Sequence, residues 1–108
     1  MNKGDIILIP FPFSDLTGSK KRPALVLISL HFDVTVSFFT TQFNQSELND
    51  ILTSPSITNG LKRISYLWLS KIATIDKKLE FGKPGFLEPH YIKETNKTLI
   101  ELFQLDKL

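Results

Sequence analysis

The chain has 108 residues, of which 42% are hydrophobic and 22% charged, with no cysteine and two histidines, His31 and His90. This is globular composition; it excludes a disulfide scaffold, a thiolate metal site and a thiol nucleophile, and it argues against a histidine-rich metal centre. The formal net charge of +2 is too mild to prove a nucleic-acid partner by itself.

No apolar stretch approaches the roughly 18 residues of a membrane helix. Met1–Asp5 carries a charge of each sign and then a strand-like run, not a signal peptide. The expectation is one soluble cytoplasmic domain over residues 1–108, with no membrane partner. A core this small is a natural candidate for supplement by dimerisation.

Nine Phe and many β-branched residues point to strands. Asp5–Ile9 is a short apolar run that ends at Pro10-Phe11-Pro12-Phe13, where two prolines remove ladder donors. Ser14–Lys21 is turn-rich and charged, and reads as an exposed loop. Pro23–Leu30 is apolar at nearly every position and reads as a central strand. Val34–Thr41 alternates as a third strand. Asp50–Thr53 reads as a short strand, followed by turns at Ser54–Ser56 and Asn59-Gly60. Ile64–Ile75 is the longest strand, with Tyr66 and Trp68 on one face and Leu67 and Leu69 on the other. From Glu88-Pro89 the period changes. Ile92, Leu99 and Phe103 recur at helical spacing, with Thr95 and Leu102 filling the stripe, which predicts a helix of about four turns packed on a small barrel.

Charge is uneven along the chain. Residues 1–22 carry a net +2 and residues 62–83 a net +4, while 23–61 carry −3 and 84–108 carry −1. If the two positive blocks meet in space they make a basic groove.

Few reactive groups remain. Arg22 closes the charged loop and opens a buried strand, where a guanidinium can grip a phosphate with two parallel donors. Thr40 and Thr41 end the third strand and Gln42 follows. An arginine with one or two hydroxyls is enough for phosphodiester transfer in RNA, because RNA carries its own 2′-hydroxyl nucleophile. Each residue also has a plain structural reading. Arg22 suits a solvated loop cation, Thr40 and Thr41 suit a strand, Tyr66 and Trp68 suit core or interface, and His31 and His90 suit surface or half-buried positions.

Four segments in order carry a family likeness: Gly4–Phe11, Lys21–Leu27, Phe39–Gln42 and Leu69–Lys77. Together they resemble the PemK/MazF toxins of toxin–antitoxin systems, from about Gly4 to Leu105. The resemblance implies an SH3-like small barrel, mainly β with a C-terminal helix, usually a homodimer. It implies a metal-independent, sequence-selective endoribonuclease acting on single-stranded RNA, mRNA included, without a cofactor. By position Arg22 and Thr40 look like the family's catalytic pair. Gln42 looks like a supporting residue, and Phe13–Lys21 like the loop beside the RNA groove. Lys20, Lys21, Thr41 and Lys71 join Gln42 as expected RNA contacts. An acidic antitoxin segment would occupy the same groove. In several relatives an acidic residue stands where this chain has Ser70, sometimes with an arginine where it has Trp68. A non-catalytic nucleic-acid or antitoxin binder, and a topoisomerase-directed toxin on the same barrel, are the alternative readings.

Overall fold

The computed structural model describes residues 1–11, 20–42 and 50–107. They form strands β1 (Asp5–Pro10), β2 (Lys21–Ser29), β3 (Asp33–Thr40), β4 (Ile51–Thr53), β5 (Ser65–Asp76) and β6 (Gly85–Phe86), and a helix α1 (Pro89–Leu102). All six strands join one antiparallel sheet in the order β4-β5-β3-β2-β1-β6. This curled sheet with one C-terminal helix is the mainly β, SH3-like small barrel expected above. The part of the Ser14–Lys21 loop before Lys20 lies outside the described residues, as does Phe13.

Alternation along the strands sorts the apolar side chains onto two faces. Ile7, Ile9, Ala24, Val26, Val34, Val36, Phe38 and Trp68 fill one, with Phe11 over them. Phe11 meets Phe38 edge-on at 4.9 Å between ring centroids and lies nearly parallel to Trp68 at 6.2 Å. Ile6, Leu25, Phe39, Leu67 and Leu69 fill the other face, and Ile92, Leu99 and Leu102 of α1 cover them. Phe103 does not join that stripe. It is 56% exposed and forms the C-cap of α1, because the helix ends one residue before the sequence periodicity does.

β5 is one strand in sequence but two in register. Phe38 pairs with Trp68, while the preceding Ser37 pairs with Ile72, so Leu69–Lys71 have no opposite residue on β3. Ser37 Oγ donates to the Trp68 carbonyl at 2.8 Å and satisfies a group the bulge would orphan. Periodicity alone shows no such break.

Two local devices hold the ends. Glu88 is the N-cap of α1, yet its carboxylate makes no cap bond. It accepts instead from Ser56 Oγ and Asn59 Nδ2, each at 3.0 Å, and so ties the 54–60 turn to the helix start. Gly60 in that turn has φ +69°, and a Cβ there would run into the Pro84 carbonyl. At the other edge, Asp5 is buried and bonded to Lys83 at 3.1 Å and to the Asn2 N–H at 2.8 Å.

Candidate active site in the gap between β2 and β3

The site follows from where one ladder stops. β2 and β3 pair from Ala24↔Phe38 onward. Two residues earlier on β2 and two later on β3, the same register sets Arg22 opposite Thr40, on the face of Ala24 and Phe38. Each of the two is instead held from its outer side, Arg22 by Ile9 of β1 and Thr40 by Tyr66 of β5.

Pro23 explains the opening. Leu8 of β1 directs its N–H to Gly82 and its carbonyl to Phe81, away from β2. Its partner Pro23 therefore turns its own backbone groups toward β3. A proline has no N–H to give there, so the ladder lacks a donor where the strands part. The gap is a groove of about 170 Å³ lined by Lys20, Arg22, Pro23, Phe39, Thr40, Thr41, Gln42 and Ser65.

The Arg22 guanidinium lies over the Phe11 ring, its carbon 4.4 Å from the centroid. The ring fixes the plane of the cation without neutralising it. Among the described residues no carboxylate pairs with Arg22. Thr40 is 3% exposed, and its Oγ1 accepts the Gln42 N–H at 3.1 Å. With that lone pair engaged, the hydroxyl proton remains for donation to an anion. Thr41 and Gln42 are exposed at the mouth.

Lys20, Arg22, Thr40, Thr41 and Gln42 are thus brought together, and Lys21 and Lys71 are not. Lys21 points to the opposite side of β2, with Nζ 3.5 Å from the centroid of Phe81. Lys71 lies in the β5 bulge with Nζ 5.2 Å from the centroid of Trp68, which is buried. Ser70 is exposed in the same bulge. Ser65 lines the groove and was not singled out by sequence; its nearness to Thr41 comes from register, which leaves no mark in local pattern. His31 packs on Phe32, and His90 on Tyr91, both away from the groove. Among the described residues no three His, Asp or Glu side chains are grouped as metal ligands.

A family model described as PemK-like, MazF-like toxin of type II toxin-antitoxin system matches residues 2–103. The chain belongs to this toxin family. No curated protein sequence matches it significantly. Among solved structures, this PemK/MazF-like chain is similar to an endoribonuclease in complex with its cognate antitoxin from a mycobacterial species. That match has 17% identity and a TM-score of 0.77, and covers 97% of this chain and 96% of the other. It is also similar to the Mycobacterium tuberculosis toxin MazF-mt6, at 19% identity and TM-score 0.75, over 93% and 96% of the two chains. A mycobacterial endoribonuclease matches at 18% identity and TM-score 0.73, over 96% and 91%. At such identities the likeness establishes a shared fold.

Proposed function

We propose that this PemK/MazF-like toxin is an endoribonuclease that cleaves single-stranded RNA, mRNA included, sequence-selectively and without a metal ion. The observation that carries the reading is the meeting of Arg22 and Thr40 on one face, across the opening at Pro23. Two of the structural neighbours are described as endoribonucleases, which agrees with it.

RNA lies in the groove with a phosphate between the Arg22 guanidinium and the Thr40 hydroxyl. The 2′-oxygen forms a bond to the adjacent phosphorus, and the bond from phosphorus to the 5′-oxygen breaks. Arg22 stabilises the charge that builds on the phosphoryl oxygens and hydrogen-bonds to the departing 5′-oxygen. Thr40 holds the phosphate in line by donating its proton in a hydrogen bond. The 2′-hydroxyl loses a proton to solvent and the 5′-oxygen gains one. The products are a 2′,3′-cyclic phosphate and a 5′-hydroxyl. Ser70 supplies no carboxylate base, so orientation and electrostatics carry the rate. DNA lacks the nucleophile and survives.

The same cationic groove suits an acidic antitoxin segment that orders on binding. One structural neighbour is an endoribonuclease held by its cognate antitoxin. A homodimer accords with the large apolar side chains left exposed, Phe32, Ile28 and Leu30 on the β2–β3 hairpin among them. No helix among the described residues is long and apolar enough to cross a membrane. A cytoplasmic location suits an mRNA substrate.

The test is incubation of the purified chain with mixed-sequence RNA in EDTA, followed by mapping of the cut ends. Discrete fragments with cyclic phosphate ends support the reading. Salt-sensitive RNA binding with no cleavage would replace it with the non-catalytic binder, which the serine at position 70 favours.

A further inference from the structure

Two blocks of positive charge run along the sequence, and the groove takes cations from the first, Lys20 and Arg22. The second block begins at Lys62-Arg63, two residues before the groove-lining Ser65. Ser65 is 4% exposed, and its hydroxyl donates to the Arg63 carbonyl at 3.0 Å. That bond ties the Lys62-Arg63 turn to the groove wall just where β5 begins. Both cations are exposed, and among the described residues neither forms an ion pair. The second charge block thus adjoins the groove wall along the chain at Ser65, while Lys71 from the same block rests on Trp68 and does not line the groove.

We infer that Lys62 and Arg63 bind the phosphate flanking the scissile one on single-stranded RNA, at the Ser65 end of the groove. The inference rests on the endoribonuclease reading and extends it along the strand. Its chemistry is that of a backbone track. Cations beside hydroxyls suit the tetrahedral oxygens of successive phosphates and carry no base preference. Each such contact releases a counterion, so it shows in the salt dependence of binding.

The experiment compares the parent protein with K62A/R63A and with the charge-keeping K62R/R63K, using oligoribonucleotides trimmed from either end. In K62A/R63A, KM at low salt rises roughly tenfold, and the slope of log KM against log salt flattens by about 0.7 per lost contact. K62R/R63K restores both. Trimming the RNA from one end abolishes the difference between parent and K62A/R63A, whereas trimming from the other end leaves it. An unchanged salt slope, or a difference indifferent to which end is trimmed, overturns the inference while the nuclease reading stands. So does a K62A/R63A protein that loses only its inhibition by polyglutamate, since the pair would then serve an acidic protein. A parent chain that neither cuts nor binds RNA overturns both readings.

Discussion

Arg22 and Thr40 stand opposite each other two residues beyond Ala24↔Phe38, where the β2–β3 ladder ends. Each strand is still held on its outer side, so the sheet supports both walls of the gap at Arg22 and Thr40. Support of this kind suits catalysis by positioning, in which strand-held donors meet the substrate.

Removal of either member of the pair abolishes most of the cleavage. Arg22→Ala is expected to lower single-turnover cleavage by about 10²–10³, the usual cost of losing one preorganised donor to a developing anion. Thr40→Val keeps the β-branched shape and removes the hydroxyl, and lowers the rate by at least about tenfold, whereas Thr40→Ser retains activity. Rates measured at saturating RNA, with circular dichroism to confirm the fold, check both. Arg22→Ala cleaving as fast as the parent would remove Arg22 from the mechanism.

The three lysines expected at the RNA separate by position. Lys20 lines the groove, Lys21 sits over Phe81 and Lys71 over Trp68. Lys20→Ala is therefore expected to raise KM severalfold, and more than Lys21→Ala or Lys71→Ala. Titration of RNA binding by fluorescence anisotropy at two salt concentrations ranks them. An effect of Lys21→Ala equal to that of Lys20→Ala contradicts the groove as described.

Asp5 makes stability depend on acid. Burial alone would raise its pKa, but the Asn2 N–H and the Lys83 ammonium outweigh it and hold the carboxyl below its ordinary value of 3.8. A carboxyl lowered on folding stabilises above its unfolded pKa, and that stabilisation is lost as pH falls through the folded value. Asp5→Asn is thus expected to cost about 1–2 kcal/mol near neutral pH. The gap to the parent narrows as pH falls below 3.8, which urea melts at a series of pH values will show. A gap constant down to strong acid would refute the assignment.

Asn59 is fully buried and uses its whole side-chain amide. Nδ2 donates to the Ser54 carbonyl and to Glu88 Oε1, while Oδ1 accepts from the N–H groups of Ser56 and Leu61. Asn59→Ala leaves these partners unpaired and should cost about 3 kcal/mol or more. Asn59→Asp brings a carboxylate against Glu88 and should cost at least as much. The denaturation midpoint should fall with an unchanged m-value.

Thr95 presents the reverse case. It is fully buried in α1, and its Oγ1 has no hydrogen-bond partner among the described residues. Thr95→Val keeps the shape and removes the orphaned hydroxyl, so stability should hold or rise by up to about 1 kcal/mol. A loss of more than this in a thermal melt would reveal a partner for the hydroxyl.

The strands and the helix are legible in the chain because their signals are local, whereas Arg22 and Thr40 are singled out as a catalytic pair only by the family resemblance of Lys21–Leu27 and Phe39–Gln42. Alternation from Val34 to Thr40 marks a strand, Glu88-Pro89 starts a helix, and Pro23 interrupts a ladder wherever it falls. Even the separation of Lys21 from Arg22 was implicit, since neighbours on a strand point to opposite faces. What lies across from each residue is another matter. Ser65 beside Thr41, the displaced Leu69–Lys71 and Asn59 beneath Glu88 all depend on register between segments far apart in sequence. Period-two alternation is the same for every register that keeps the apolar faces matched, so packing and backbone pairing had to choose among them. That choice turned a list of polar residues into a groove with Arg22 on one wall and Thr40 on the other.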